Sequence, residues 1–265
     1  MAVRVGGFRT KDRNTVEQGG GTVTHGAQLT KAMVGPRIAT TIMSGAVSAS
    51  DFGVSGVTIS GKHFTGSIAI DIDCTLEDCY IEDVIQNSGG HTVQLNWCTV
   101  SPPTPGDRCI GPYGVSAYRC LLEGCSDGVG LDTCNLIENF ITLKGQSSLD
   151  HNDGAQSYIA GAGGQVLRNN INGIPVNTDT LGLGQGNSCI FVADNSQGTL
   201  EIRDNLLTGG GYTLGLHDSM FYRVTGNRVT EGSWGYGPVN TQNAVSGAFL
   251  EWSDNLTTGG TVLSP

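Results

Sequence analysis

Two Asp-Gly pairs carry the side chains with the clearest potential for chemistry. Asp127 precedes Gly128, and Asp153 precedes Gly154 close to His151. Each pair begins an alternating apolar segment, so stacking of the two segments as neighbouring strands would place Asp127, Asp153 and His151 on one face. Two carboxylates on one face can act as general acid and general base on a glycosidic bond. The structural alternative is the commoner one, because Asp-Gly is turn chemistry and an Asp side chain can bind the backbone of its own corner.

Aromatic and polar residues further along the chain could extend such a face into a carbohydrate-binding surface. Tyr158, Trp234 and Tyr236 are candidate stacking residues, because a flat ring offers an apolar body to a sugar face. Trp234 and Tyr236 lie in a Gly-rich insertion, which predicts a loop rather than a core position. His217 and Asp218 are candidate polar contacts of the same surface, although a single exposed His is more often simple polar surface.

The eight cysteines do not indicate a metal site. Cys74 with Cys79 and Cys120 with Cys125 are both C-x4-C pairs, and neither has a partner pair or a nearby His at zinc-ligand spacing. A chain of this length can build a core without disulfides, so most of the thiols are predicted to be free, buried and packed as small hydrophobic groups. No metal and no cofactor are predicted. The sequence leaves open the pairing state of five cysteines: Cys74, Cys109, Cys125, Cys134 and Cys189.

A short unit that recurs along the chain predicts the architecture that must position these residues. Each unit reads as a strand, a sharp corner and a second strand, and the copies recur at intervals of 19 to 35 residues. One unit is too small to bury its own apolar face, whereas units stacked about 4.8 Å apart bury one continuous core. The aligned corner position is occupied in order by Cys79, Cys98, Cys120, Asn139, Asn170, Asn205, Asn227 and Asn255.

This repeat predicts an all-β chain, a single right-handed parallel β-helix whose corner ladder changes from thiols to amides. Buried Asn side chains can hydrogen-bond the Asn of the next coil and the free backbone groups of the corner. The predicted divisions are an irregular N-terminal cap or attachment segment (1–50), the β-helix (51–257) and a C-terminal tail (258–265). A cap is expected because the ends of a solenoid expose open sheet edges.

Composition narrows the classes of partner. The chain has 265 residues, 41 of them Gly, and a net charge of −10 with no basic cluster. Nucleic acid and anionic membrane surfaces are therefore disfavoured as partners. Insertion into a membrane is not expected, because the sequence has no apolar run of 18 residues. The segment Met1 to Lys11 lacks the apolar stretch of a secretory signal.

Four stretches carry a resemblance to the pectate-lyase-like right-handed β-helix proteins. They are Cys120–Val129 (CLLEGCSDGV), His151–Gln156 (HNDGAQ), Asn187–Val192 (NSCIFV) and Asn205–Thr213 (NLLTGGGYT). The chain is most similar to uncharacterised members found in actinobacteria and among the tail proteins of their phages. The resemblance spans roughly residues 50–257 and implies the fold more strongly than a function.

The catalytic motifs of two better-known relatives do not transfer. The triplet Asn177-Thr178-Asp179 resembles the first polygalacturonase motif, but the Asp-Asp pair, the Gly-His-Gly and the Arg-x-Lys of that family are missing. Only Asp194 follows, and His217 lies in a Gly-Leu-His-Asp context. The calcium carboxylates and Arg base of pectate lyases cannot be placed either.

The resemblance implies a bacteriophage tail protein that contacts host cell-surface polysaccharide. Its expected partners are cell-wall polysaccharide, other virion tail proteins and further copies of itself, most simply as a trimer. The expected location is the phage tail, with a secreted or cell-surface bacterial protein as the alternative. Two other functions remain open. One is a glycan depolymerase, either a glycoside hydrolase or a polysaccharide lyase, that uses Asp127, Asp153 and His151; the other is a purely structural tail component.

Overall fold

The protein is a parallel β-helix, as the repeat predicts. Each coil of the chain adds one strand to each of three parallel sheets, which contain ten, nine and nine strands. The described residues also contain three 3-10 helices: Gly26–Gln28, Lys31–Met33 and Ala49–Phe52. The computed structural model describes residues 22–87, 89–103, 108–112, 114–131, 134–144, 152–157, 162–174, 187–193, 197–217 and 220–265.

The three sheets, named A, B and C, follow one another in every coil. Sheet A contains β1 (Thr41–Met43), β4 (Lys62–Phe64), β7 (Tyr80–Ile81), β10 (Thr99–Val100), β13 (Leu121–Glu123), β16 (Phe140–Thr142), β19 (Asn170–Asn172), β22 (Leu206–Thr208), β25 (Arg228–Val229) and β28 (Leu256–Thr257). Sheet B contains β2 (Val47–Ser48), β5 (Ile68–Ala69), β8 (Ile85–Asn87), β11 (Arg108–Pro112), β14 (Asp127–Gly130), β17 (Asp153–Ser157), β20 (Ser188–Val192), β23 (Tyr212–Leu216) and β26 (Gly237–Asn240). Sheet C contains β3 (Val57–Ser60), β6 (Cys74–Glu77), β9 (Val93–Asn96), β12 (Val115–Tyr118), β15 (Asn135–Ile137), β18 (Ala162–Leu167), β21 (Gln197–Arg203), β24 (Phe221–Thr225) and β27 (Phe249–Ser253).

The core is a set of apolar columns that run along the axis. Alternate residues of each strand point inward, and in-register pairing places each inward side chain over its equivalent in the next coil. The fully buried column of sheet A includes Phe64, Ile81, Val100, Leu122, Ile141, Ile171, Leu207 and Val229. None of the helices in the described part of the chain is long and apolar enough to cross a membrane.

The corner between sheets C and A has the same backbone form in most coils. Seven non-glycine residues there adopt left-handed φ values of 53° to 58°, namely Asp78, Trp97, Arg119, Glu138, Arg168, Asp204 and Asp254. This conformation is uncommon for residues other than Gly and persists only where the surroundings enforce it. The residue that follows each of them is a buried ladder residue, which satisfies the backbone groups that the turn exposes.

The amide part of the ladder is a continuous hydrogen-bonded chain. The Nδ2 of Asn205 donates to the carbonyl of Val166 at 2.8 Å and to Oδ1 of Asn227 at 2.9 Å. Its Oδ1 accepts from the backbone N–H of Asn169 at 2.8 Å and from Nδ2 of Asn169 at 3.1 Å. The same pattern links Asn139 with Asn169, and Asn227 with Asn255.

The prediction for one ladder position is wrong by one residue. Asn169, not Asn170, occupies the ladder, because it directly follows the left-handed Arg168. Asn170 instead begins β19, in register with Phe140, and its Nδ2 donates to the carbonyl of Leu29 at 3.1 Å. Both neighbours are Asn, so their types alone could not distinguish the two registers.

The thiol part of the ladder is confirmed. Cys79, Cys98 and Cys120 are free and fully buried. The backbone N–H of Cys98 donates to Sγ of Cys120 at 3.4 Å, and that of Cys120 donates to Oδ1 of Asn139 at 2.9 Å. The two kinds of side chain therefore form one column.

The open question of cysteine pairing has a definite answer. Cys109 and Cys125 form a disulfide, whereas Cys74, Cys134 and Cys189 are buried and form no disulfide. Because β11 and β14 are neighbours in sheet B, this bond joins two adjacent coils near the N-terminal ends of these strands.

Residues 22–38 form an extended segment, the N-terminal strap, that lies along the outside of the solenoid. The strap begins beside a late coil and continues toward the first coils. Gly26 N–H donates to the carbonyl of Asp204 at 2.6 Å, and Gly35 N–H donates to that of Arg119 at 3.0 Å. Arg37 then pairs with Asp78 at 2.6 Å. After the strap, β1 and β2 pair with β4 and β5 as the first coil.

The C-terminal residues fold back over the last coil. Leu256 and Val262 form an antiparallel bridge, and the N–H of Leu263 donates to the carbonyl of Asn255 at 2.9 Å. The indole N–H of Trp252 donates to the carbonyl of Leu263 at 2.7 Å. Leu263 is buried, so the tail covers apolar surface that an open coil would expose.

Candidate functional site

The structure brings Asp127 and Asp153 together at the first positions of two adjacent strands of sheet B, β14 and β17. Val129 pairs with Ala155, so the two aspartates occupy equivalent positions in adjacent strands. The N–H of Asp153 donates to Oδ1 of Asp127 at 3.0 Å. The predicted juxtaposition of these two residues follows from the shared Asp-Gly spacing.

The glycine of each Asp-Gly pair is required by close packing. A Cβ on Gly128 would lie 2.1 Å from the carbonyl oxygen of Gly154, and a Cβ on Gly154 would lie 2.5 Å from that of Cys189. Any larger residue would push neighbouring coils apart. The pairs are therefore strand starts rather than free turns.

Asp153 is completely buried, with an exposed fraction of 0%. The Nδ2 of Asn187 lies 3.2 Å and 3.3 Å from its two carboxyl oxygens. Burial raises the pKa of Asp153 well above its ordinary value, and the charge of Asp127 adds to the rise. The bonds from Asn187 and the backbone of Ser188 only partly oppose this. Acid–base chemistry on a glycan requires both carboxylates to reach the solvent-facing surface, and Asp153 does not reach it.

Arg108 is in register with Asp127, and its side chain extends onto the outer face of sheet B. Ile110 is buried in the core, so the adjacent Gly111 faces outward, and a Cβ on Gly111 would meet Cδ of Arg108 at 2.5 Å. Nη2 of Arg108 is 3.6 Å from Oδ2 of Asp127 and donates to Oε1 of Gln156 at 3.2 Å. The guanidinium therefore links three neighbouring coils.

The same column of sheet B continues to an aromatic pair. Asp153 is in register with Ser188, and Ile190 with Leu214, which places Tyr212 next in the column. The ring of Tyr212 lies 5.7 Å from that of Tyr236, which is 74% exposed.

The other described candidates are less exposed. Trp234 lies in the loop between β25 and β26, as its Gly-rich context predicts, but it is half-buried and packs against the core. His217 is half-buried, and its ring meets Phe191 edge-on at 5.6 Å. The predicted site residues His151, Tyr158 and Asp218 lie outside the described residues.

Four residues of this face were missed by the sequence analysis: Arg108, Gln156, Asn187 and Phe191. Arg108 could have been found, because it precedes Asp127 by 19 residues, the shortest interval of the repeat. The other three belong to coils with long insertions, where the interval gives no register. Among the described residues, no group of three or more His, Cys, Asp or Glu side chains could hold a metal ion.

Comparison of the chain with protein-family models, with curated proteins and with solved structures finds no match. The fold is therefore established by the strand pairing itself.

Asp153→Asn should make the protein more stable at neutral pH and less sensitive to pH. A carboxyl group whose pKa is higher in the folded than in the unfolded state loses stability as the pH rises from the unfolded pKa, about 3.9, toward the folded one. Asparagine cannot ionise, so the variant should escape this loss, which is worth about 1.4 kcal/mol per pKa unit. Denaturant unfolding of both proteins from about pH 4 to 8 measures the difference, which should grow with pH. A variant that is less stable by the same amount at every pH would show that the carboxylate itself is needed for the fold.

Proposed function

We propose that the protein binds a polysaccharide along the outer face of sheet B, and that it does so as a bacteriophage tail component at the host cell surface. The observation that carries the proposal is that Arg108, which contacts Asp127 and Gln156, lies in the same register column as Tyr212, whose ring lies beside the exposed ring of Tyr236. Guanidinium, carboxylate and amide groups can hydrogen-bond sugar hydroxyls, and the Tyr rings offer an apolar platform.

The dimensions of this column favour a polymer over a small molecule. From β11 to β23 there are four strand spacings, which correspond to roughly 19 Å at about 4.8 Å each. A chain of sugars laid along the axis could contact the polar and the aromatic parts at once. A compact metabolite could reach only one of them.

Charge favours a neutral glycan over an anionic one. The chain has a net charge of −10, and Arg108 already faces Asp127. Burial favours the uncharged form of Asp153. An anionic polymer would therefore meet repulsion from the surface as a whole and little compensation in the column.

The disulfide supports a location outside the reducing cytosol. Disulfides persist mainly in extracellular and surface environments. The bond between Cys109 and Cys125 lies beside Arg108 and near Asp127, at the polar end of the column. A virion exterior satisfies this condition, and so does a secreted or cell-surface protein. The resemblance to phage tail proteins favours the virion.

Tyr236→Ala should weaken binding to neutral cell-wall polysaccharide about tenfold, or about 1.4 kcal/mol, because Tyr is among the residue types whose truncation costs most at binding surfaces. Tyr118→Ala is the matched control, since Tyr118 is 36% exposed but belongs to sheet C. Titration calorimetry with polysaccharide purified from actinobacterial cell walls measures both variants. Equal affinity of wild type and Tyr236→Ala, or equal losses in both variants, would refute the proposed face.

Hydrolysis of the bound glycan is a second candidate function. One observation favours it: Asp153 has a raised pKa beside a second carboxylate, which is how a general acid is prepared. Its complete burial is the reason that binding is the main proposal. Release of reducing ends by the wild type, and its loss in Asp153→Asn with binding retained, would establish hydrolysis.

A further inference from the structure

We propose that His25 is an acid-sensitive latch that holds the beginning of the N-terminal strap on the solenoid. Protonation of its imidazole would release the strap around Gly26–Gln28, while the far end of the strap stays attached.

The two ring nitrogens of His25 have opposite hydrogen-bonding roles. The N–H of Ala27 donates to Nδ1 at 3.0 Å, so Nδ1 must be unprotonated. Nε2 lies 2.9 Å from the carbonyl oxygen of Gly226, so Nε2 must carry a proton and donate it. Only the neutral ring can make both bonds, because a protonated imidazole has two donors and no acceptor.

The ring holds a segment that fits the solenoid with little tolerance. The side chain of His25 caps the 3-10 helix, and Oε1 of Gln28 accepts a hydrogen bond from the backbone N–H of His25 at 3.2 Å. Gly26 donates to the carbonyl of Asp204 at 2.6 Å, and a Cβ on Gly26 would lie only 1.9 Å from the carbonyl oxygen of Asn169. A small displacement of the helix would therefore break the hydrogen bond of Gly26 to Asp204 and its close packing against Asn169.

The surroundings of His25 oppose its protonation on balance. Burial lowers the pKa of His25 below its usual value of 6.5, and the charge of Arg228 on β25 lowers it further. The carbonyl of Gly226 and the charge of Asp204 act in the opposite direction but do not cancel these effects. The latch is therefore closed at neutral pH and opens in acid.

The far end of the strap has an anchor that mild acid does not remove. Arg37 donates to both carboxyl oxygens of Asp78, at 2.8 Å and 2.6 Å. Burial alone would raise the pKa of Asp78, but the hydrogen bonds and charge of Arg37 lower it overall. Asp78 therefore stays charged when His25 gains a proton. Acid would free the strap's beginning and uncover Asn170 and Leu206 beneath it.

Amide hydrogen exchange tests the latch directly. We expect protection of Gly26–Leu29 to fall about tenfold or more between about pH 7.5 and pH 5, after correction for the chemical exchange rate. Protection at Gly35, which bonds to Arg119, should not change. In the variant His25→Asn, the new side chain is a good capping acceptor and does not titrate. Protection of Gly26–Leu29 in this variant should therefore be independent of pH.

His63→Asn is the matched control, because His63 pairs with Glu82 at 2.9 Å outside the strap and its loss should leave the wild-type response intact. Unchanged protection of Gly26–Leu29 in wild type at the lower pH would overturn the proposal. An equal loss in His25→Asn, or an equal loss at Gly35, would also do so.

Discussion

Replacement of Asn205 by alanine should lower the free energy of unfolding by about 1–3 kcal/mol. The change removes an amide that serves three neighbours at once: the carbonyl of Val166, both nitrogens of Asn169 and Oδ1 of Asn227. These groups are buried, so water cannot replace the lost partner. The cost should approach the upper end of the range, because several groups are left unsatisfied together.

Asn152→Ala provides a control matched in burial. The sequence Asn152-Asp153-Gly154 is typical of a surface turn, but the exposed fraction of Asn152 is 0%. Among the described residues its Oδ1 and Nδ2 have no hydrogen-bond partner. Its truncation therefore leaves no partner unsatisfied and should cost less than about 1 kcal/mol. Denaturant unfolding of the two variants measures the contrast. Equal shifts would mean that burial alone, and not the ladder, accounts for the effect.

Removal of the disulfide should have the other large effect. The cross-link closes one coil, with a sequence separation of 16 residues, and the loss of such a constraint on the unfolded chain is worth about 3 kcal/mol. The double variant Cys109→Ala with Cys125→Ala should therefore unfold at a clearly lower denaturant concentration. Reductant should lower the midpoint of the wild type to a similar degree and leave the double variant unchanged.

Cys134→Ala controls for the loss of a buried sulfur. Cys134 is fully buried in the same core and forms no disulfide, so its truncation reports the cost of losing a buried sulfur without losing a cross-link. If the double variant is as stable as the wild type, the bond does not stabilise the native protein. The same conclusion follows if reductant lowers the denaturation midpoints of the wild type and the double variant equally.

The solenoid could be predicted because its signal is local and repeated. Each coil carries its own apolar alternation and its own corner residue, so eight imperfect copies support one another even though Asn170 was assigned in place of Asn169. The adjacency of Asp127 and Asp153 followed in the same way. Each of these aspartates directly precedes a Gly, and a Gly is needed there because the next coil packs closely against it.

The sequence by itself therefore determined the stacking of coils, the thiol and amide ladder and the pairing of two aspartates. Only the tertiary structure decided that Asp153 is buried, that Cys109 pairs with Cys125 and that the strap docks along the outside. Those features depend on contacts between residues far apart in the chain, such as His25 with Gly226, which no periodic pattern encodes. Burial of a side chain likewise depends on what covers it from other coils, whereas its place in the repeat depends only on its neighbours in sequence.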